Sequence, residues 1–116
     1  MALDLDEILP KSIKVGYSYY QIEIQDQAWM DANNAYGDQH GHKKVINVCD
    51  SWELPEVQDT LTHEIKHAIH EFFNLPSKCT EEQYVHVQAT GWTMVWMDNP
   101  ELRKFFNYVA DGEAYG

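Results

Sequence analysis

Residues Leu61 to Glu71 read Leu-Thr-His-Glu-Ile-Lys-His-Ala-Ile-His-Glu and contain H-E-x-x-H as His63, Glu64 and His67. On an α-helix, positions i and i+4 sit one turn apart on one face, so the two imidazoles can converge on a single cation. Neutral imidazole is a good Zn²⁺ ligand, and two in this geometry supply half of a tetrahedral shell. Glu64 is offset by about 100° around the axis, beside the ion rather than on it. From there a carboxylate can take a proton from a water whose pKa the ion lowers towards about 7. So short a pattern also arises on surface helices that hold no metal, where His63 and His67 would be ordinary solvated side chains. The flanking residues favour a helix that packs. Val57, Leu61, Ala68, Ile69 and Phe72 recur at helical spacing, Pro55 suits the first helical residue with Leu54 or Ser51 outside it, and Asn74-Leu75-Pro76 closes the far end.

A chain of 116 residues has room for one modest core, so residues 1–116 read as a single domain, and four Trp, seven Tyr and four Phe can fill that core. The formal charge of −11 opposes nucleic acid and anionic membrane, because no basic patch offsets phosphate repulsion. The chain shows neither an apolar run near the roughly 18 residues of a membrane span nor a basic-then-apolar N-terminal stretch. A cytoplasmic location is therefore expected. Cys49 and Cys79 lack C-x-x-C spacing and read as free buried thiols in a reducing compartment. A disulfide between them, or Cys79 in a metal shell, are the less favoured alternatives.

The acidic stretch up to Pro10 reads as an arm or a helical turn. Ile13, Val15, Tyr17 and Tyr19 alternate, then Tyr20, Ile22 and Ile24 alternate on the opposite parity. The slip at Tyr19-Tyr20 predicts a bulge or two short strands meeting there. Asp26 to Asn34 can hold a helical turn around Ala28, Trp29 and Met30. Tyr36 to Cys49 reads as a hairpin, with His40-Gly41-His42-Lys43 near its turn and Val45 to Cys49 returning. His40 and His42 share parity and can bind something together, although solvated turn histidines are the simpler reading. Thr80 followed by Gln83 fits a capping box for a second helix. Val85, Ala89, Trp92 and Trp96 form its apolar stripe, with both tryptophans read as core. Asn99 caps a last short helix opened by Pro100 and carrying Leu102, Phe105 and Phe106. Ala110 to Gly116 reads as a frayed tail.

A catalytic zinc site wants a third protein ligand and an open position. The second helix offers Glu81, Glu82 and His86. Glu81 and Glu82 flank the axis of the stripe by similar angles, so periodicity does not choose between them. Both also fall in a first turn, where the helix dipole favours carboxylates without any metal.

The motif at His63, Glu64 and His67, followed after a short Pro-containing connection by a Glu-bearing helix, resembles the gluzincin arrangement of zinc metallopeptidases. The small size and the strand–hairpin prelude resemble the minimal versions, the minigluzincins. Thr80-Glu81-Glu82-Gln83-Tyr84-Val85, Ala89-Thr90-Gly91-Trp92 and Asp98-Asn99-Pro100-Glu101-Leu102 are similar to small phage-encoded proteins of this type. The likeness covers roughly residues 36 to 106. It implies an α+β, zincin-like fold: a small antiparallel-containing sheet packed on the motif helix and the glutamate-bearing helix, with a short C-terminal helix.

The resemblance implies Zn²⁺ held by His63, His67 and Glu82, with Glu64 as general base. Glu82 is preferred because Val85 and Ala89 follow it at the spacing such glutamate helices resemble. Larger gluzincins carry an Asp four residues after the ligand Glu. Here His86 stands there, so an anionic acceptor for a ligand imidazole must come from elsewhere, with Glu71 or a backbone carbonyl as candidates. His86 can instead donate to an oxyanion or bind the metal, and His70 falls on the same side as His67. Tyr84 and Tyr108 are further candidate oxyanion donors.

The implied activity is metal-assisted peptide-bond hydrolysis of a peptide or protein substrate, in a host cytoplasm if the chain is phage-encoded. The Val45 to Cys49 strand would be the edge that pairs with the substrate backbone. The acidic surface weakly favours basic peptides. The alternative is a zincin-like binding or regulatory module that holds zinc and does not cleave. A purely structural zinc would instead need a closed shell completed by His86 or Cys79.

Overall fold

The structure, a computed structural model, describes residues 4–33, 39–40 and 44–112. Leu5–Ile8 (α1) is the helical turn expected in the acidic N-terminal stretch. Ser12–Val15 (β1) and Ser18–Gln25 (β2) pair antiparallel around Gly16 and Tyr17. Gly16 has φ 65°, a conformation that two-residue hairpin loops demand and that glycine adopts without steric cost. This turn produces the parity change in the sequence, earlier in the chain than Tyr19-Tyr20. Ile13, Val15 and Tyr20 face the core, joined by the half-buried Ile22 and Ile24, whereas Tyr17 and Tyr19 are exposed.

Gln27–Asn33 (α2) follows, its first turn tied by the Trp29 N–H donating to Asp26 Oδ1 at 2.7 Å. Gln39–His40 (β3) and Val45–Cys49 (β4) form the expected hairpin in part, with Gln39 opposite Ile46 and His40 opposite Val45. His42 and the rest of that turn lie outside the described residues. The sheet is four-stranded in the order β1-β2-β4-β3. It is mixed, because β2 and β4 run parallel over Gln21–Gln25 and Val45–Cys49. β4 is therefore interior. The expectation that it forms a free peptide-binding edge is corrected by β2 on one side and β3 on the other.

Leu54–Phe72 (α3) carries the motif, with Pro55 inside its first turn where a missing N–H costs nothing. It ends in a Schellman arrangement. Asn74, at φ 52°, donates to Glu71 O, and Leu75 donates to His70 O. Glu81–Asp98 (α4) opens with the expected capping box: the Gln83 N–H donates to Thr80 Oγ1 at 3.1 Å and the Thr80 N–H to Gln83 Oε1 at 2.9 Å. Pro100–Asp111 (α5) continues past Ala110, so the expected tail begins later, and residues 113–116 lie outside the described residues.

One apolar cluster joins the layers. Ile13, Val15, Ile46 and Val48 of the sheet meet Leu61, Ile65 and Ile69 of α3, Val95 of α4, and Leu102 and Phe105 of α5. The result is α+β, with helices on the sheet's inner face. Cys49 and Cys79 are free, the first buried and the second half-buried. No helix among the described residues is long and apolar enough to cross a membrane.

Two tertiary contacts were not legible in the pattern. The side of α4 that meets the core carries Gly91 and Val95, both buried, whereas Val85 is 52 % exposed and Ala89 is exposed. The stripe Val85, Ala89, Trp92 and Trp96 is thus rotated by one residue from the buried side. Trp92 and Trp96 are half-buried and cluster with Phe106. The reason is Gly91, where an added Cβ would stand 3.1 Å from Ile69 Cγ1 and closer still to Cγ2. A residue without a side chain sets the closest approach of α3 and α4, and hydropathy does not register it.

The second contact is made by Asn99. Its side chain does not cap α5. Instead Oδ1 accepts from the Lys14 N–H at 2.8 Å, and Nδ2 donates to Lys14 O at 2.8 Å and to Val95 O at 2.7 Å. A buried amide thereby pairs with the backbone of β1, at the edge of the sheet, and satisfies polar groups there.

Candidate metal centre

α3 presents its buried side (Val57, Leu61, Ile65, Ala68, Ile69) to the core and leaves His63 and His67 exposed on the other. Their Nε2 atoms lie 3.1 Å apart, with ring centroids 4.7 Å apart and planes crossing at 71°. Two nitrogens at about 2.0–2.1 Å from one tetrahedral zinc are about 3.3–3.4 Å apart. The pair fits that requirement within a few tenths of an ångström. The same distance also permits one imidazole to donate its N–H to the other.

Glu64 lies between the two environments. Its side chain is 9 % exposed, and Oε1 stands 3.8 Å from His63 Nε2. The carboxylate is therefore shielded from solvent and adjacent to the nitrogens that would face a metal.

His63 and His67 border a groove of about 430 Å³ between α3 and the first half of α4, whose walls also include Lys66, His70, Tyr84 and Gln88. The His70 and Tyr84 ring centroids are 6.4 Å apart. Gln88 Nε2 donates to Lys66 O at 3.1 Å, which fixes the amide beside the turn that carries His67. Its Oε1 is buried without a hydrogen-bond partner. An acceptor in that position suits an incoming N–H, and a ligand imidazole offers one from its second nitrogen.

Glu82 does not line this groove, and its side chain is exposed. Tyr84 marks the groove side of α4; Glu82 is about 160° from it around the axis and Glu81 only about 60°. His86 is likewise exposed and off the groove wall. Glu71 is exposed at the end of α3, where its carboxylate acts on Tyr20. Burial holds the Tyr20 phenol above its ordinary value, and the charge on Glu71 adds to the effect. The described residues bring together the two histidines and Glu64. Among them no group of three or more His, Cys, Asp or Glu side chains is arranged to hold a metal ion.

No family model, curated protein or solved structure matches this chain. Its chemistry must therefore be read from its own residues. Gln88 and Tyr84 are the wall residues that sequence reasoning underused. The signal available for them was their spacing from Gly91, a position whose contact with Ile69 hydropathy does not register.

Proposed function

We propose that the protein is a zincin-like, zinc-dependent peptidase of the minimal gluzincin kind. The observation that carries this reading is the 3.1 Å separation of His63 Nε2 and His67 Nε2, with the shielded Glu64 carboxylate 3.8 Å from the first. His63 and His67 would hold the metal. The resemblance names Glu82 as third ligand, whereas the helical phase of α4 favours Glu81.

Zinc, when bound, supplies a Lewis acid that polarises an amide carbonyl and acidifies a water. Glu64 would take a proton from the attacking water as its oxygen bonds to the acyl carbon, and would return that proton to the departing nitrogen as the C–N bond breaks. Water and amide thus become a carboxylic acid and an amine. The burial of Glu64 serves this role, because a carboxylate screened from bulk water exchanges its proton with the reacting groups rather than with solvent.

Wild type is expected to bind one zinc and His63→Ala none, by metal analysis after dialysis and by calorimetric titration. Glu64→Gln should keep the metal and lose turnover of a peptide library. Loss of zinc in Glu81→Ala with retention in Glu82→Ala assigns the third ligand to Glu81, and the reverse assigns it to Glu82. Wild type that binds no zinc refutes the proposal.

A non-cleaving zinc module is favoured by one feature, the Tyr84 and Gln88 side chains that α4 presents where a carboxylate ligand is wanted. In that case Glu64→Gln leaves function intact, measured as partner affinity.

A further inference from the structure

The chain carries 19 acidic residues against eight Lys and Arg, yet the wall of the groove inverts that balance. Besides the two candidate ligands it comprises Lys66, His70, Ser77, Tyr84 and Gln88. Among the described residues it contains an ammonium, an imidazole, a hydroxyl, a phenol and an amide, but no carboxylate. Lys66 is the only Lys or Arg of α3, a helix with four acids (Glu56, Asp59, Glu64, Glu71). None of those acids falls three or four residues from it; Thr62, His63, Ile69 and His70 do. No neighbour on the helix surface therefore compensates its charge.

We propose that this groove binds a carboxylate, with Lys66 as the residue that holds the charge and His70 and Tyr84 as hydrogen-bonding neighbours. Position along α3 narrows the ligand further. His70 begins about 4.5 Å farther along the axis than His67, and one extended peptide residue spans about 3.3–3.6 Å. An anion at Lys66 and His70 thus lies about one residue from an amide at the His63 and His67 nitrogens. The ligand class is a peptide with a carboxylate on the residue after that amide, supplied by the C-terminus or by an acidic side chain. The placement beside the cleaved amide rests on the zinc reading; the preference for an anion does not. The weak expectation of basic peptides, drawn from overall charge, is replaced by one drawn from the groove itself.

The test uses the full chain, freed of metal by chelator, and three probes: N-acetyl-Ala-Ala-Ala, its C-terminal amide, and N-acetyl-Ala-Ala-Asp amide. Affinity is read from NMR shifts of the histidine and amide resonances at low salt. The free acid should bind roughly tenfold tighter than its amide, the scale of one charge-assisted contact. Lys66→Gln should abolish the difference and Lys66→Arg should retain it. Lys66 is exposed, so these variants leave the core untouched. Tight binding of the Asp amide assigns the carboxylate to a side chain, and weak binding assigns it to the C-terminus. Equal affinity for all three probes in wild type overturns the proposal, as does discrimination that survives Lys66→Gln. Because no metal is present, failure here is separate from failure to bind zinc.

Discussion

Replacing Gly91 with alanine adds one methyl at the crossing of α3 and α4. The new Cβ would lie 3.1 Å from Ile69 Cγ1, 3.2 Å from its Cβ and nearer still to Cγ2, where ordinary contact begins at 3.4 Å. Ile69 is fully buried and has no free space to swing into. The helices must instead part by about 1 Å, and overpacking of this kind costs about 1–3 kcal/mol. Alanine recovers up to about 1 kcal/mol through its better helix propensity. The net expectation is a loss of about 1–2 kcal/mol, or about 4–8 °C in Tm for a domain of this size.

Ile69→Ala alone should cost about 2–5 kcal/mol, because it leaves a cavity. In the double variant the alanine methyl fills part of that space. The combined loss should fall short of the sum by at least about 1 kcal/mol. Urea unfolding followed by circular dichroism, with m unchanged, measures all three. Gly91→Ala as stable as wild type, or a strictly additive double variant, would refute the claim that this contact sets the crossing.

Two further outcomes follow from single side chains. Asn99→Ala removes three hydrogen bonds to the backbone of Lys14 and Val95 and should cost about 2–3 kcal/mol in urea unfolding. Asn99→Asp should be worse at neutral pH and improve towards about pH 5. The introduced carboxyl faces two carbonyls, so it holds its proton more tightly in the fold than in the unfolded chain. An Asn99→Asp variant as stable as wild type at neutral pH removes this explanation. For Tyr20, the folded phenol titrates above 10.0 because of burial and the charge on Glu71. Its contribution to stability is complete below that pH and is lost as pH rises from the unfolded towards the folded value. Tyr20→Phe should flatten the alkaline fall of the urea midpoint between about pH 9 and 11; an unchanged slope counts against the assignment.

Much of the local structure is written in short-range chemistry. Thr80 and Gln83 satisfy each other's backbone N–H groups, Asn74 accepts a left-handed backbone, and Gly16 allows a two-residue turn. Each depends on neighbours within a few residues, so a linear reading finds it or comes close. The His63, Glu64 and His67 constellation belongs to the same class, since helical geometry alone sets one turn between the imidazoles. The parallel pairing of β2 with β4 does not. It joins segments separated by α2 and β3, and nothing in either strand's alternation states which neighbour it takes. The turn of α4 about its own axis escaped for a related reason. Val85, Ala89, Trp92 and Trp96 form a credible buried stripe until Ile69 of another helix chooses Gly91 instead.

The amino-acid sequence by itself determined the capping box of α4 and the pair of histidines one turn apart, and came within a few residues of the first turn between strands, because these rest on bonds and rotations among adjacent residues. Only the tertiary structure decided which side of α4 faces α3, and hence that Tyr84, Gln88 and Lys66 border the groove. Packing selects among faces of similar hydropathy by shape. A missing side chain, which contributes nothing to an apolar pattern, can be what lets two helices meet.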